Sequence, residues 1–147
     1  MTDVLYVAIG GDQPRLACYP IDGNGITEPA DVVALPGAPA DLAASPDRRF
    51  LYADVNVDGT HQYLSYSIDG ASGSLTRLGS PAHVGPYPCY LRVDNTGRWL
   101  LAAYYSDGMV TVHAIGEDGV AGERVQQLET AKKAHFIQTD AANRFAF

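Results

Sequence analysis

The sequence lacks any segment in which apolar residues recur at helical spacing across three turns. Fifteen glycines and nine prolines are spread along its 147 residues, and both residue types interrupt long helices. A helical repeat protein is therefore excluded. The N-terminus MTDVLYVAIGG has no basic stretch, and its apolar run ends at Gly10, too early for a signal peptide or a spanning helix. We expect a cytoplasmic protein with no membrane partner.

Cysteines and blocks of like charge are also scarce. Cys18 and Cys89 form no C-x-x-C pair and no dense framework, so we expect free thiols. The net charge of −7 comes without a run of like charges, which argues against nucleic acid as a partner. The sequence has no phosphate-binding glycine loop, no H-E-x-x-H, no G-x-S-x-G and no zinc-type spacing. We therefore expect no cofactor and no metal.

The main positive feature is an internal repeat, in which a polar turn leads into an apolar run. It occurs as SPDRRFLYADV, DNTGRWLLAAYY and DAANRFAF. Equivalent strand residues recur every 46 to 49 positions, at Val4, Phe50, Trp99 and Phe145. Four short strands with their turns fill about 40–50 residues, which is the length of a β-propeller blade. The sequence thus predicts an all-β fold, a β-propeller with about three blades.

The repeat also predicts where the blades lie. Residues 40–139 should form two complete four-stranded antiparallel blades, with an incomplete blade on each side. Their inner strands are expected at 40–44, 89–93 and 134–139. No linker or change of composition divides the chain, so residues 1–147 are interpreted as a single domain. Closed propellers have four to eight blades, so we expect the chain to be the N-terminal part of a longer protein.

One repeat position changes its chemistry from blade to blade. Ala40, Cys89 and His135 are equivalent positions at the start of successive inner strands. An imidazole in the third copy can act as a general base on water, so His135 is the candidate catalytic residue. The alternative is that His135 only forms a hydrogen bond with a neighbouring blade.

Four further residues are candidates for binding a substrate. Lys133 precedes His135 in a loop expected at the channel mouth, where it can bind a carboxylate or phosphate, although a solvated surface turn is the alternative. Tyr87 and Arg92 lie in the equivalent loop and inner strand one blade earlier. Asp41 lies on an inner strand and either faces the channel or caps a turn. His61 and His83 are placed in loops without a role, and His113 is interpreted as structural.

The runs GPYPCYLRVDNTGRWLLAAYYSDGMVTVHAI and KKAHFIQTDAANRFAF resemble the seven-bladed lactonase propellers, typified by bacterial 6-phosphogluconolactonase and carboxymuconate-lactonising enzyme. The resemblance spans essentially the whole chain. It implies a total of seven blades and a hydrolase that opens a sugar-acid lactone. It also implies a histidine at the start of an inner strand, which falls on His135.

Two alternatives to the lactone hydrolase stay open: a carboxymuconate-type lactonising isomerase, and a propeller that serves only as a binding or scaffold module. For the hydrolase, the expected partner is a small lactone. The chain alone is expected to be inactive and to associate with itself through exposed blade faces.

Overall fold

The computed structural model describes residues 3–147, and every regular element within them is a β-strand. No helix in these residues is long and apolar enough to cross a membrane. The strands are β1 (Asp3–Ile9), β2 (Arg15–Asp22), β3 (Gly25–Ile26), β4 (Asp31–Ala34), β5 (Ala38–Ala44), β6 (Phe50–Val57), β7 (Thr60–Ile68), β8 (Leu75–Gly85), β9 (Tyr90–Val93), β10 (Trp99–Tyr104), β11 (Met109–Ile115) and β12 (Ala121–Glu129).

The strands form three antiparallel sheets in chain order. Strands β5 to β8 make one four-stranded sheet and β9 to β12 make the next. The first sheet is β1–β2, with β3 and β4 pairing with different parts of β2. The two four-stranded blades follow a first sheet that has no strand equivalent to β5 or β9, and the all-β bladed fold that the repeat predicted is confirmed.

Strand β10 illustrates why the apolar runs are continuous. Leu100, Ala102 and Tyr104 pack into the core shared with the preceding sheet. Leu101 and Ala103 point to the opposite face, where they pack with Ile137. A strand buried on both faces cannot alternate between polar and apolar residues, so WLLAAY is apolar throughout.

The polar turns repeat the same hydrogen bonds. One side chain at the end of each inner segment accepts the backbone N–H groups four and five residues later. The acceptors and donors are Ser45 with Arg49 and Phe50, Asp94 with Arg98 and Trp99, and Asp140 with Arg144 and Phe145. This shared geometry explains why the turn is the clearest repeat in the sequence.

Three strand predictions need correction. Residues 134–139 do not form an inner strand: only a bridge between Thr139 and Ala146 and two bonds between Gln138 and Phe147 are made. Their expected partner strand contributes only three residues, too few for a regular ladder. Strand β8 continues to Gly85 and includes His83, which was expected in a loop, and the short β3 was not expected.

The topology puts the candidate residues at one end of the sheets. The turns that join β5 to β6 and β7 to β8 lie at one end. The β6–β7 and β10–β11 hairpins and the β4–β5 and β8–β9 connections lie at the other, which we call the hairpin end. The segment after β12 joins them there, since the backbone N–H of Lys133 donates to the carbonyl of Tyr105 at 2.8 Å.

Candidate functional site

His135 lies at the hairpin end and is exposed to solvent. Its ring meets that of Tyr105 edge-on, with the centroids 5.6 Å apart and an interplanar angle of 89°. The half-buried thiol of Cys89 lies 3.4 Å from the carbonyl oxygen of Ala134, which precedes His135. The start of the segment that carries His135 therefore lies beside Cys89, at the start of the preceding inner segment.

The predicted cations lie on two different segments. Lys133 is exposed, two residues before His135, and its backbone has a positive φ of 77°. Its N–H bond to Tyr105 places it at the same hairpin that supports the His135 ring. Arg92 is exposed on β9, one blade earlier, where it pairs in register with Leu101. Lys133 and His135 are thus brought together around Tyr105.

Asp41 joins two blades through its carboxylate. Its Oδ2 accepts the backbone N–H of Leu91 at 2.6 Å, and its Oδ1 accepts the N–H of Leu42 at 2.8 Å. The first bond connects β5 to β9 of the next sheet, so it ties neighbouring inner strands together. Both oxygens already accept backbone donors, so any contact between Asp41 and a substrate uses their remaining lone pairs.

A second cluster at the hairpin end was missed by the sequence reasoning. His61 is not in a loop but on β7, where it is 6% exposed. Its Nδ1 lies 2.7 Å from Oδ2 of Asp54, and its Nε2 lies 3.0 Å from Nδ2 of Asn56. The Tyr87 ring packs beside the imidazole, with the centroids 5.2 Å apart. These side chains adjoin a cleft of about 480 Å³ lined by Ala38, Pro39, Ala40, Asn56, His61 and Tyr87.

The hydrogen bonds around His61 determine which ring nitrogen carries the proton. The N–H of Gly59 donates to Oδ1 of Asn56 at 2.9 Å, which leaves the amide nitrogen pointing at the imidazole. Because that amide nitrogen can only donate, Nε2 of His61 must accept. The imidazole proton then lies on Nδ1 and is donated to Asp54. The result is a neutral imidazole held at both nitrogens.

Asp54 is a fully buried carboxylate with incomplete hydrogen bonding. Its side chain is 0% exposed, and Oδ1 has no hydrogen-bond partner in the structure. Burial raises the pKa of the Asp54 carboxyl to about 6, although the hydrogen bond from His61 lowers it. The Asp41 carboxylate on the neighbouring strand raises this pKa further. The ionised form of Asp54 is therefore electrostatically unfavourable, and it lies beside an open cleft.

The missed cluster had one available signal in the sequence. Asp58-Gly59 is a two-residue hairpin turn, and it places Asn56 opposite His61 and Asp54 opposite Tyr63. The expectation that His61 lies in a loop left it outside this pairing. That the protein binds no metal stays a prediction. Within residues 3–147, no group of three or more His, Cys, Asp or Glu side chains is arranged to hold a metal ion.

Comparison with known proteins places this geometry in a family. The sequence model described as lactonase, 7-bladed beta-propeller, matches residues 14–147. The 6-phosphogluconolactonase of Pectobacterium carotovorum is 35% identical over 144 residues, which cover 98% of this chain and 42% of that protein. That of Bacillus subtilis is 32% identical over 124 residues, covering 84% and 35%. The chain thus spans about two fifths of the length of the curated relatives it matches.

Solved structures agree on the fold. The periplasmic gluconolactonase PpgL of Pseudomonas aeruginosa superposes with a TM-score of 0.74 at 27% identity, covering 87% of this chain and 39% of that one. The hydrazine synthase of Kuenenia stuttgartiensis gives a TM-score of 0.70 at 12% identity, covering 99% and 51%. The second likeness concerns the fold alone.

Proposed function

The chain belongs to the seven-bladed β-propeller lactonase family, and on that premise we propose that the whole protein hydrolyses a sugar-acid lactone of the 6-phosphogluconolactone kind. The observation that carries the proposal is the 35% identity to a 6-phosphogluconolactonase over 98% of this chain. The isomerase and scaffold alternatives gain no comparable support, because the two curated relatives described above are named 6-phosphogluconolactonase.

In the proposed reaction His135 is the general base. Its exposed imidazole removes a proton from water while the water oxygen bonds to the lactone carbonyl carbon. The carbonyl electrons move to oxygen and form a tetrahedral oxyanion. When the oxyanion collapses, the ring C–O bond breaks and the proton passes to the leaving ring oxygen, giving the open hydroxy acid. Edge-on contact with Tyr105 limits the rotation of the imidazole during these transfers.

Binding of the substrate requires local positive charge, because the chain has a net charge of −7. Lys133, adjoining the His135 hairpin, and Arg92 on β9 are the proposed cationic contacts for a carboxylate, a phosphate or the oxyanion. Tyr87 is proposed to contact the sugar ring. Asp41 contributes by fixing β5 against β9, with its remaining lone pairs open to a substrate hydroxyl.

The test is a lactone hydrolysis assay on the whole protein carrying His135→Asn. Loss of a positioned base should lower kcat by about 10²–10⁴-fold with folding unchanged. His83→Asn is the matched control, because His83 is an exposed histidine on β8 that has no proposed catalytic role. Wild-type turnover in His135→Asn would remove His135 from the mechanism, and no hydrolysis by the wild-type protein would refute the lactonase assignment.

The 147-residue chain alone should show no turnover, since a channel site draws its walls from all blades.

The cytoplasmic location expected from the sequence is also proposed, while the related PpgL of P. aeruginosa is periplasmic. Fractionation of cells that express the whole protein distinguishes the two compartments. Recovery with periplasmic markers would overturn the cytoplasmic proposal without affecting the lactonase proposal.

A further inference from the structure

We propose that the His61 imidazole positions the Tyr87 ring as one wall of a subsite, and that this subsite receives the hydroxylated ring of the substrate. The inference rests on the proposed lactonase function, because it names part of the same substrate site. It assigns a role to the His61–Asp54 pair, which the proposed reaction does not use.

The backbone around Tyr87 is stiff, but its side chain depends on His61. Tyr87 stands between Pro86 and Pro88, whose rings restrict the backbone. The loop begins at Gly85, the cross-strand partner of His61. The tyrosine side chain is half exposed, at 51%, and its aromatic contact is with the imidazole at 5.2 Å. The orientation of the Tyr87 ring therefore depends on the orientation of the His61 imidazole.

The imidazole is held more firmly than packing alone requires. Asp54 accepts from Nδ1 on the buried side, and Asn56 donates to Nε2. Asn56 is itself fixed by the N–H of Gly59 in the hairpin turn. Rotation of the His61 ring therefore breaks two hydrogen bonds and leaves a fully buried carboxylate without its donor. Such a cost is typical of a side chain whose orientation matters.

The cleft beside Tyr87 has the chemistry of a site for a polyhydroxylated ring. Its lining also includes Ala38, Pro39 and Ala40, whose short side chains leave room for a ligand. The Asn56 amide still has one N–H and one lone pair beyond the two hydrogen bonds described, and these suit ligand hydroxyls. The aromatic face of Tyr87 suits the apolar C–H face of the same ring. A volume of about 480 Å³ lies within the usual range of about 300–1,000 Å³ for ligand pockets.

The experiment is a double-mutant cycle in the whole protein with Tyr87→Ala and His61→Asn. Asparagine at position 61 keeps an N–H donor for Asp54 but removes the ring from Tyr87. Each single variant should raise KM by about tenfold with kcat within about threefold, and the double variant should be no worse than either. His83→Asn is the matched control, and its KM should equal that of the wild type. Unchanged KM in both singles, or additive losses in the double, would overturn the proposal.

A binding measurement separates this inference from the lactonase assignment. Glucose, which has a hydroxylated ring but no lactone bond, is titrated into the whole protein and followed by NMR at the Asn56 side-chain amide. We expect saturable binding, weakened at least about fivefold by Tyr87→Ala. Glucose binding without lactone hydrolysis would refute the enzyme assignment and leave the subsite standing. Hydrolysis with no shift at Asn56 would refute the subsite alone, and this test holds even if His61→Asn does not fold.

Discussion

At the scale of the residue, Asp54 combines complete burial with a single side-chain hydrogen bond, the one from His61. A carboxyl whose pKa is about 6 in the folded protein and 3.8 in the unfolded chain binds protons more tightly when folded. Its stabilising contribution is therefore fully present below pH 3.8 and is lost as the pH rises through 6. The same carboxylate orients His61, so the protein retains a destabilising group at a place where it can serve the cleft.

Asp54→Asn should make stability less dependent on pH. The amide keeps an oxygen to accept the Nδ1 proton of His61 but carries no charge to desolvate. Relative to the wild type, the free energy of unfolding of the variant should improve by up to about 3 kcal/mol between pH 4 and pH 8. Urea denaturation at a series of pH values measures this difference. A difference between the two proteins that is the same at every pH would show that Asp54 has an ordinary pKa.

Candidate residues were predictable from the sequence only where the repeat exposed them. His135 was found because Ala40 and Cys89 occupy the equivalent positions. His61 has no such contrast: its role depends on Asp54, seven residues earlier, which meets it only after the hairpin folds. The bond from Asp41 to Leu91 spans 50 residues between sheets, and no local pattern reveals it.

At the scale of the element, two glycine turns have similar backbones but different surroundings. Gly59 and Gly119 have φ values of +83° and +80°. A Cβ at Gly59 meets nothing within 4 Å, whereas one at Gly119 would lie 2.2 Å from the Phe50 ring of the preceding sheet. The Gly119 carbonyl also accepts the Tyr52 hydroxyl at 3.1 Å. The turn before β12 is therefore a packing element between sheets, and the β6–β7 turn is not.

Gly119→Ala should be much more destabilising than Gly59→Ala. The Gly59 variant measures backbone strain alone, about 1 kcal/mol. The Gly119 variant adds the displacement of Phe50, so we expect an additional loss of about 1–3 kcal/mol in the free energy of unfolding. Thermal or urea denaturation of the two variants checks the difference. Equal losses would mean that the Phe50 ring moves aside without cost.

Most elements were predictable because the turns and the apolar runs follow one another so regularly. Strands β6 and β10 begin at Phe50 and Trp99, where the repeat put them, since each follows an Asp-containing turn. The inner strand at 134–139 was wrong because a strand needs a partner as well as a pattern. Its residues resemble those of β5 and β9, but only a short stretch around Gln138 finds a partner in Phe147.

At the scale of the whole molecule, neighbouring sheets are joined by apolar cores and by a few specific bonds. Besides Asp41, the hydroxyl of Ser65 accepts the N–H of Ala121 at 2.9 Å, and Asp31 accepts the N–H of Leu75 at 3.0 Å. Each bond links one sheet to the next, and their donors are backbone groups. Each sheet therefore packs against a complementary surface of the next sheet. A sheet without a neighbour on one side leaves that face exposed to solvent.

Both outer sheets carry exposed apolar side chains. On the first sheet they are Leu5, Ile21, Ile26 and Val32, with exposed fractions of 39–62%, and at the other end they are Val125, Leu128, Phe136, Phe145 and Phe147, with 51–73%. Clusters of this kind are unusual on monomers and favour association. The edge of β12 adds unpaired backbone groups to the second cluster. The 147-residue chain should therefore self-associate, as the sequence predicted.

Light scattering across a concentration series should show oligomers of this chain that grow with concentration. Combining Val125→Ser, Leu128→Ser and Phe145→Ser should shift the distribution toward monomer, because these changes remove apolar surface without touching the sheet interior. Gln127→Ser, an exposed polar position on the same strand β12, is the matched control and should leave association unchanged. A monomer at every concentration would show that the chain covers these side chains by itself, and equal effects of the control and the triple variant would place the association surface elsewhere.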